Sequence, residues 1–129
     1  MIYQILLAIS YFHEINLVHR DLKLENIMVY IAQQGQASSM CCKVTDFGFA
    51  SYCGREGLSM PLGTPLYMAP EIISQQVYDE KVDVWAFGVI AFCMLTSQYP
   101  FDGKSKEEIY RKIKDPNFMP NFNLLDRYW

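Results

Sequence analysis

The apolar run Val84–Leu95 constrains the fold of this chain more than any other feature. It is too short to cross a bilayer, which takes about 20 apolar residues in a helix. Extended by Asp83 and Thr96, it reads as a helix over 83–96 that is apolar almost all round and is therefore expected to be buried on every side. Such a helix needs partners. The 129 residues, 51% hydrophobic and 19% charged, have the material to build a core around it, which sets aside a disordered tail and leaves room for one modest domain.

Eleven Lys and Arg against 14 Asp and Glu give a net charge of -3. With no basic excess to displace counterions, a nucleic-acid binder driven by phosphate neutralisation is not expected. The N-terminus has no basic flank before an apolar stretch, so neither a signal peptide nor a membrane partner is expected. The four cysteines, Cys41, Cys42, Cys53 and Cys93, make no C-x-x-C pair. Cys41 and Cys42 on an extended segment point to opposite faces, which one metal ion could hardly bridge. Reduced thiols in a cytoplasmic protein are the expectation.

Along the chain, Ile2, Ile5, Leu6, Ile9 and Phe12 or His13 recur at helical spacing, predicting an amphipathic helix that stops near Asn16. A charge-dense loop, 19–26, follows. Segments 27–31 and 40–45 read as short strands, with the polar 33–39, including Gly35, as an extended hairpin loop. From Asp46 to Pro70 periodicity is lost amid repeated Gly and Pro, and a structureless stretch of that length inside a domain is usually functional or disordered. Ser105 and Glu108 form a capping box for a last helix that ends before Asp115-Pro116. Residues 117–129 read as loop.

The chemistry is concentrated in His19-Arg20-Asp21-Leu22-Lys23-Leu24-Glu25-Asn26, followed by Asp46-Phe47-Gly48 and Ala69-Pro70-Glu71, then by Asp83-Val84-Trp85-Ala86-Phe87-Gly88 and Tyr99-Pro100-Phe101. Phosphoryl transfer asks a protein for little covalent chemistry. It needs a positioned hydroxyl, a clamped triphosphate and neutralised charge. A carboxylate on a rigid loop can take the hydroxyl proton, and Asn and Asp oxygens suit Mg²⁺ shared with phosphate. The series, in this order over essentially the whole chain, resembles the C-terminal lobe of a eukaryotic protein kinase.

That resemblance implies a mainly α fold with a small β-hairpin, a kinase-like C-lobe and hence part of the α+β kinase fold, as one domain over 1–129. It implies an enzyme that uses ATP and Mg²⁺ to phosphorylate proteins. Asp21 matches the catalytic base, Lys23 the lysine that contacts the transferred phosphate, and Thr64 the residue that bonds the base. Asn26 and Asp46 match the metal ligands. Met28 lies where the family places the apolar floor beneath adenine, or else is an ordinary strand core residue. His19 and Phe47 match the hydrophobic spine and should be buried. Asp83 matches the carboxylate that accepts backbone hydrogen bonds from the catalytic loop; a simple helix cap is the other reading.

Lys23 and Thr64 resemble the serine/threonine class, and 78–85 with 99–104 look most like calcium- or calmodulin-dependent kinases. The 129 residues contain no G-x-G-x-x-G loop, no V-A-I-K-type lysine and no partner glutamate on a preceding helix. Those elements, and the final C-lobe helices, belong to the family pattern outside this segment, so a truncated kinase whose missing N-lobe is a partner is the expectation. A catalytically inactive kinase-like binding or scaffold module is the alternative. Glu71 is left without its usual arginine unless Arg111 or Arg127 substitutes. Met60 stands three residues before Gly63, where many relatives carry a phosphorylatable threonine; Ser59 and Ser51 are close, and Arg20 would supply the cation that a phosphate recruits.

Overall fold

The computed structural model describes residues 1–34 and 37–128. Helix α1 (Ile2–Glu14) turns Ile5, Ile9 and Phe12 inward and ends with Asn16 at φ 57°. Strand β1 (Leu17–Val18) leads to the charge-dense loop, which closes in a 3-10 turn over Leu24–Asn26. Strands β2 (Ile27–Gln34) and β3 (Ala37–Val44) form an antiparallel hairpin in the register Ile27↔Val44. Strand β4 (Ser51–Tyr52) pairs back onto β1. Helices α2 (Pro70–Ile73), α3 (Lys81–Thr96) and α4 (Lys106–Lys114) complete the order.

The core has two centres. In one, α1 meets α3 through Ile5, Ile9, Ala86, Val89 and Ile90, with Leu22 and Tyr67 packed between them. In the other, Val18, Met68, Ala69, Ile72, Tyr78 and Val82 close around the start of α3. The mainly α expectation with one small hairpin describes this architecture. All four thiols are free, and Cys41 and Cys42 face Tyr30 and Val29 at successive positions of the ladder. Among the described residues no helix is long and apolar enough to cross a membrane.

Several local expectations are corrected. The polar 33–39 is not an open loop: the ladder runs on through Gln33↔Ser38 to Gln34↔Ala37, because once the apolar end sets the register an exposed ribbon can continue in polar residues. Gly35 lies outside the described residues. The stretch 46–70 is not structureless either. It contains β4, an isolated bridge Leu58↔Tyr78 and a 3-10 turn over Pro65–Tyr67. Residues 117–129 include 3-10 helix over Phe122–Tyr128.

Helix α3 is not buried on every side. Val84 is 49% exposed and Gly88 is open, on a shallow apolar groove of about 390 Å³ shared with Phe92, Phe101, Met119 and Phe122. There Trp85 Nε1 is buried without a hydrogen-bond partner.

At α4 the cap is shifted from the reciprocal box. Ser105 Oγ accepts from Glu108 N–H (3.2 Å), but the Glu108 carboxylate accepts from Lys104 N–H (3.0 Å), one residue before the cap. Ser105→Ala therefore removes one terminal hydrogen bond and is expected to cost about 1 kcal/mol in urea unfolding. A change below a few tenths would show that the cap is idle.

Candidate active site

The loop after β1 is anchored before it does any chemistry. Asp83, on the first turn of α3 and 1% exposed, accepts from His19 N–H (2.8 Å) and Arg20 N–H (2.9 Å), one backbone donor on each carboxylate oxygen. His13, at the end of α1, adds its ring nitrogen at 3.1 Å. These bonds hold Arg20 at φ 67°, a conformation that an L-residue keeps only when its surroundings impose it. The helix-cap alternative for Asp83 is set aside, since the carboxylate makes no cap bond on its own helix.

His19, fully buried, joins this loop to the next. Its Nε2 bonds the Thr45 carbonyl (3.1 Å), and its Nδ1 accepts from Asp21 N–H (3.3 Å), so the ring is the Nε2–H tautomer. Phe47 packs edge-on against Phe12 and lies 4.9 Å from His19, ring centre to ring centre. It is nonetheless 42% exposed, which corrects the expectation of burial. Those two rings cover part of it, and no other described ring lies against it.

Asp21, Lys23 and Thr64 form a closed triangle. Thr64 Oγ1 donates to Asp21 Oδ1 (2.7 Å), Lys23 Nζ donates to Asp21 Oδ2 (2.7 Å), and Lys23 Nζ also reaches Thr64 Oγ1 (3.1 Å). Each carboxylate oxygen is thus held from one side, and Asp21 is 7% exposed. The Asp21 carboxylate pushes the Lys23 ammonium above the ordinary lysine value, so the lysine stays charged through the physiological range.

Asn26 and Asp46 come from neighbouring segments. Thr45 N–H and Thr45 Oγ1 both donate to the Asn26 carbonyl, at 2.9 and 3.1 Å, which sets Asp46 one residue beyond that contact. Asn26 spends its amide nitrogen on the Asp21 carbonyl (3.0 Å), leaving its oxygen as a donor atom for a cation. Asp46, at φ 61° and exposed, holds one oxygen against Gly48 N–H (3.2 Å). One amide oxygen and one carboxylate are hard donors, the set suited to a Mg²⁺ ion that completes its shell with phosphate and water. Among the described residues there is no cluster of three or more acidic, His or Cys side chains that could hold a metal ion.

Met28 stands apart, 60% exposed on β2, and is not a core residue of the described fold. Among the described residues no cation lies within ion-pair distance of Glu71. Arg111 does not substitute, and the Arg127 side chain lies outside the described ones.

The protein kinase domain model matches residues 1–126. The chain belongs to the protein kinase domain family. It is 39% identical over 127 residues to calcium-dependent protein kinase 5 of Plasmodium berghei, covering 98% of this chain and 21% of that protein. It is 40% identical over 129 residues to the serine/threonine-protein kinase DCLK1 of Rattus norvegicus, covering all of this chain and 28% of that one. To serine/threonine-protein kinase 33 of Mus musculus it is 43% identical over 113 residues, covering 83% of this chain and 23% of the relative. The chain thus spans between 21% and 28% of the length of these relatives.

Sequence reasoning missed two members of this candidate site. His13 belongs to the Asp83 anchor; its signal is a polar residue ending the inward stripe of α1, aimed at the acid that opens α3. Tyr67, 3% exposed, receives Leu24 N–H on its hydroxyl (3.4 Å) and meets the Tyr99 hydroxyl at 3.2 Å. Burial pushes its phenol far above the usual tyrosine range, so it acts as a neutral strut beside the catalytic loop.

Proposed function

We propose that this chain carries the catalytic half of an ATP-dependent serine/threonine protein kinase. The observation that supports this most is the Asp21–Lys23–Thr64 triangle, with both oxygens of a nearly buried carboxylate oriented and a lysine held charged beside it. Asp21 accepts the proton of the substrate hydroxyl as its oxygen attacks the γ-phosphorus of ATP, and the bond from that phosphorus to the β–γ bridging oxygen breaks to release ADP. Thr64 and Lys23 hold that carboxylate in one rotamer, so little reorganisation is left for the reaction itself. Lys23 also offsets charge on the transferred phosphoryl group. Asn26 and Asp46 would hold Mg²⁺, which when bound neutralises the triphosphate. The relatives' names, two of which specify serine/threonine, support the acceptor class. A cytoplasmic location is part of this proposal, and four unpaired thiols are compatible with it.

The intact triangle and metal donors favour this reading over the inactive scaffold. The 129 residues hold no glycine-rich phosphate loop, and transfer needs a second lobe to cover the nucleotide. The chain alone is expected to show negligible phosphorylation of a Ser/Thr peptide, and joined to a nucleotide-covering lobe it is expected to phosphorylate Ser and Thr but not Tyr. A radiolabelled-phosphate assay on both forms decides. Steady Asp21-dependent transfer by the chain alone would overturn the need for the second lobe, and no transfer by the joined form would leave the scaffold reading.

A further inference from the structure

Thr64 reaches Asp21 from the end of a segment that has little structure of its own, and something outside the site must set where that segment lies. The anchor is Tyr78, just before α3. It is 3% exposed in the cluster with Met68, Ile72 and Val82, against which Leu58 packs. Its backbone makes a complete antiparallel bridge with Leu58, N–H to carbonyl in both directions at 2.8 Å. Its hydroxyl donates to the Met60 carbonyl at 2.6 Å. The same carbonyl accepts Leu62 N–H (2.9 Å), which folds the chain back at that point.

Beyond Leu62 the path is short and tightly guided. Gly63 sits at φ 129°, where a Cβ would come within 3.1 Å of the Arg20 carbonyl and 3.2 Å of Met68 Cγ, so the backbone lies directly against the catalytic loop. Thr64 follows with its hydroxyl on Asp21. Four residues beyond Met60, the chain reaches Thr64 inside the triangle. No charged side chain lies between Leu58 and Thr64, so the hold is made by hydrogen bonds and packing.

We propose that Tyr78 is a positioning residue for phosphoryl transfer: its hydroxyl, bonded to the Met60 carbonyl, fixes the segment that delivers Thr64 to Asp21. This rests on the kinase reading above and deepens it. The anchor is a hydroxyl bonded to a backbone carbonyl, so the proposed positioning needs no phosphate on Ser59 or Ser51.

Tyr78→Phe tests this, because it deletes the hydroxyl and keeps the ring and the backbone bridge. Tyr110→Phe is the matched control; it deletes another hydroxyl of the same cluster, one that donates to Met68 Sδ (3.1 Å) rather than to the loop. In the protein joined to its nucleotide-covering lobe, Tyr78→Phe is expected to lower kcat about fivefold to tenfold with the KM for ATP unchanged, and Tyr110→Phe to match wild type. In the 129-residue chain, the Thr64 methyl resonance is expected to shift and broaden in Tyr78→Phe while the Ile5 and Ile90 methyls stay in place.

Wild-type kcat in Tyr78→Phe with an unmoved Thr64 resonance overturns the proposal. So does an equal loss in Tyr110→Phe, which would mark general loosening of the cluster. An inactive wild type sinks the kinase reading instead, and the Thr64 resonance then decides the positioning role by itself.

Discussion

Asp21→Asn, in the protein joined to its nucleotide-covering lobe, is expected to lose phosphoryl transfer by about 10²–10⁴-fold while still binding Mg-ATP. The triangle explains why such a small change acts so strongly. Lys23 offers only donors, so the new amide must turn its oxygen to Lys23 Nζ and its NH₂ to Thr64 Oγ1. The side chain keeps its place and its neighbours but can no longer accept a proton. Asp46→Asn differs in kind, because it weakens a proposed metal ligand and leaves the base intact, so both turnover and Mg²⁺-dependent nucleotide binding should fall. Isothermal titration with Mg-ATP alongside peptide phosphorylation separates the two. Unchanged turnover in Asp21→Asn would overturn its role as base, and equal loss of nucleotide binding in both variants would overturn the division of labour.

What the sequence revealed follows from how each contact is encoded. The 83–96 run and the Ser105 cap were readable because a continuous apolar run and a capping residue are local signals, and α3 and α4 fall within two residues of those expectations. The exposure of Val84 was not, since an apolar pattern states what a residue prefers and not what lies beside it. Strands β1 and β4, two residues each, exist through their pairing with each other across the fold, and no two-residue stretch carries a period. The far end of the β2–β3 hairpin is polar, so it read as loop while its backbone continued the ladder.

The site divides the same way. Asp21, Lys23, Asn26, Asp46 and Thr64 are candidates because the order of motifs carries them, and the structure brings the first, second and last into one hydrogen-bonded group. Tyr78 was read only as a member of the 78–85 motif and His13 only as the end of the α1 stripe, because the contacts that matter here are tertiary, to a backbone carbonyl 18 residues away in one case and to an acid 70 residues away in the other. Neither arrangement has a spacing to read.

Asp83→Ala is expected to destabilise the chain by about 3–5 kcal/mol, a large share of the stability of a domain this size. Two backbone N–H groups, those of His19 and Arg20, depend on this carboxylate, and each buried donor left without a partner costs about 1–3 kcal/mol. His13 loses its partner as well. Asp83→Asn separates acceptor chemistry from volume: its single carbonyl satisfies one N–H, while its NH₂ faces the other donor-to-donor, so it should recover only part of the loss. Arg20 adds a second readout, because its φ of 67° is held against the preference of an L-residue and has no reason to persist once its N–H is released. Urea unfolding of the three proteins gives the energies, and the Arg20 amide resonance reports the backbone. A loss under about 1 kcal/mol in Asp83→Ala, within the ordinary effect of a point change, would mean that water or another acceptor replaces the carboxylate. The catalytic loop would then be shaped by its own sequence rather than anchored from α3.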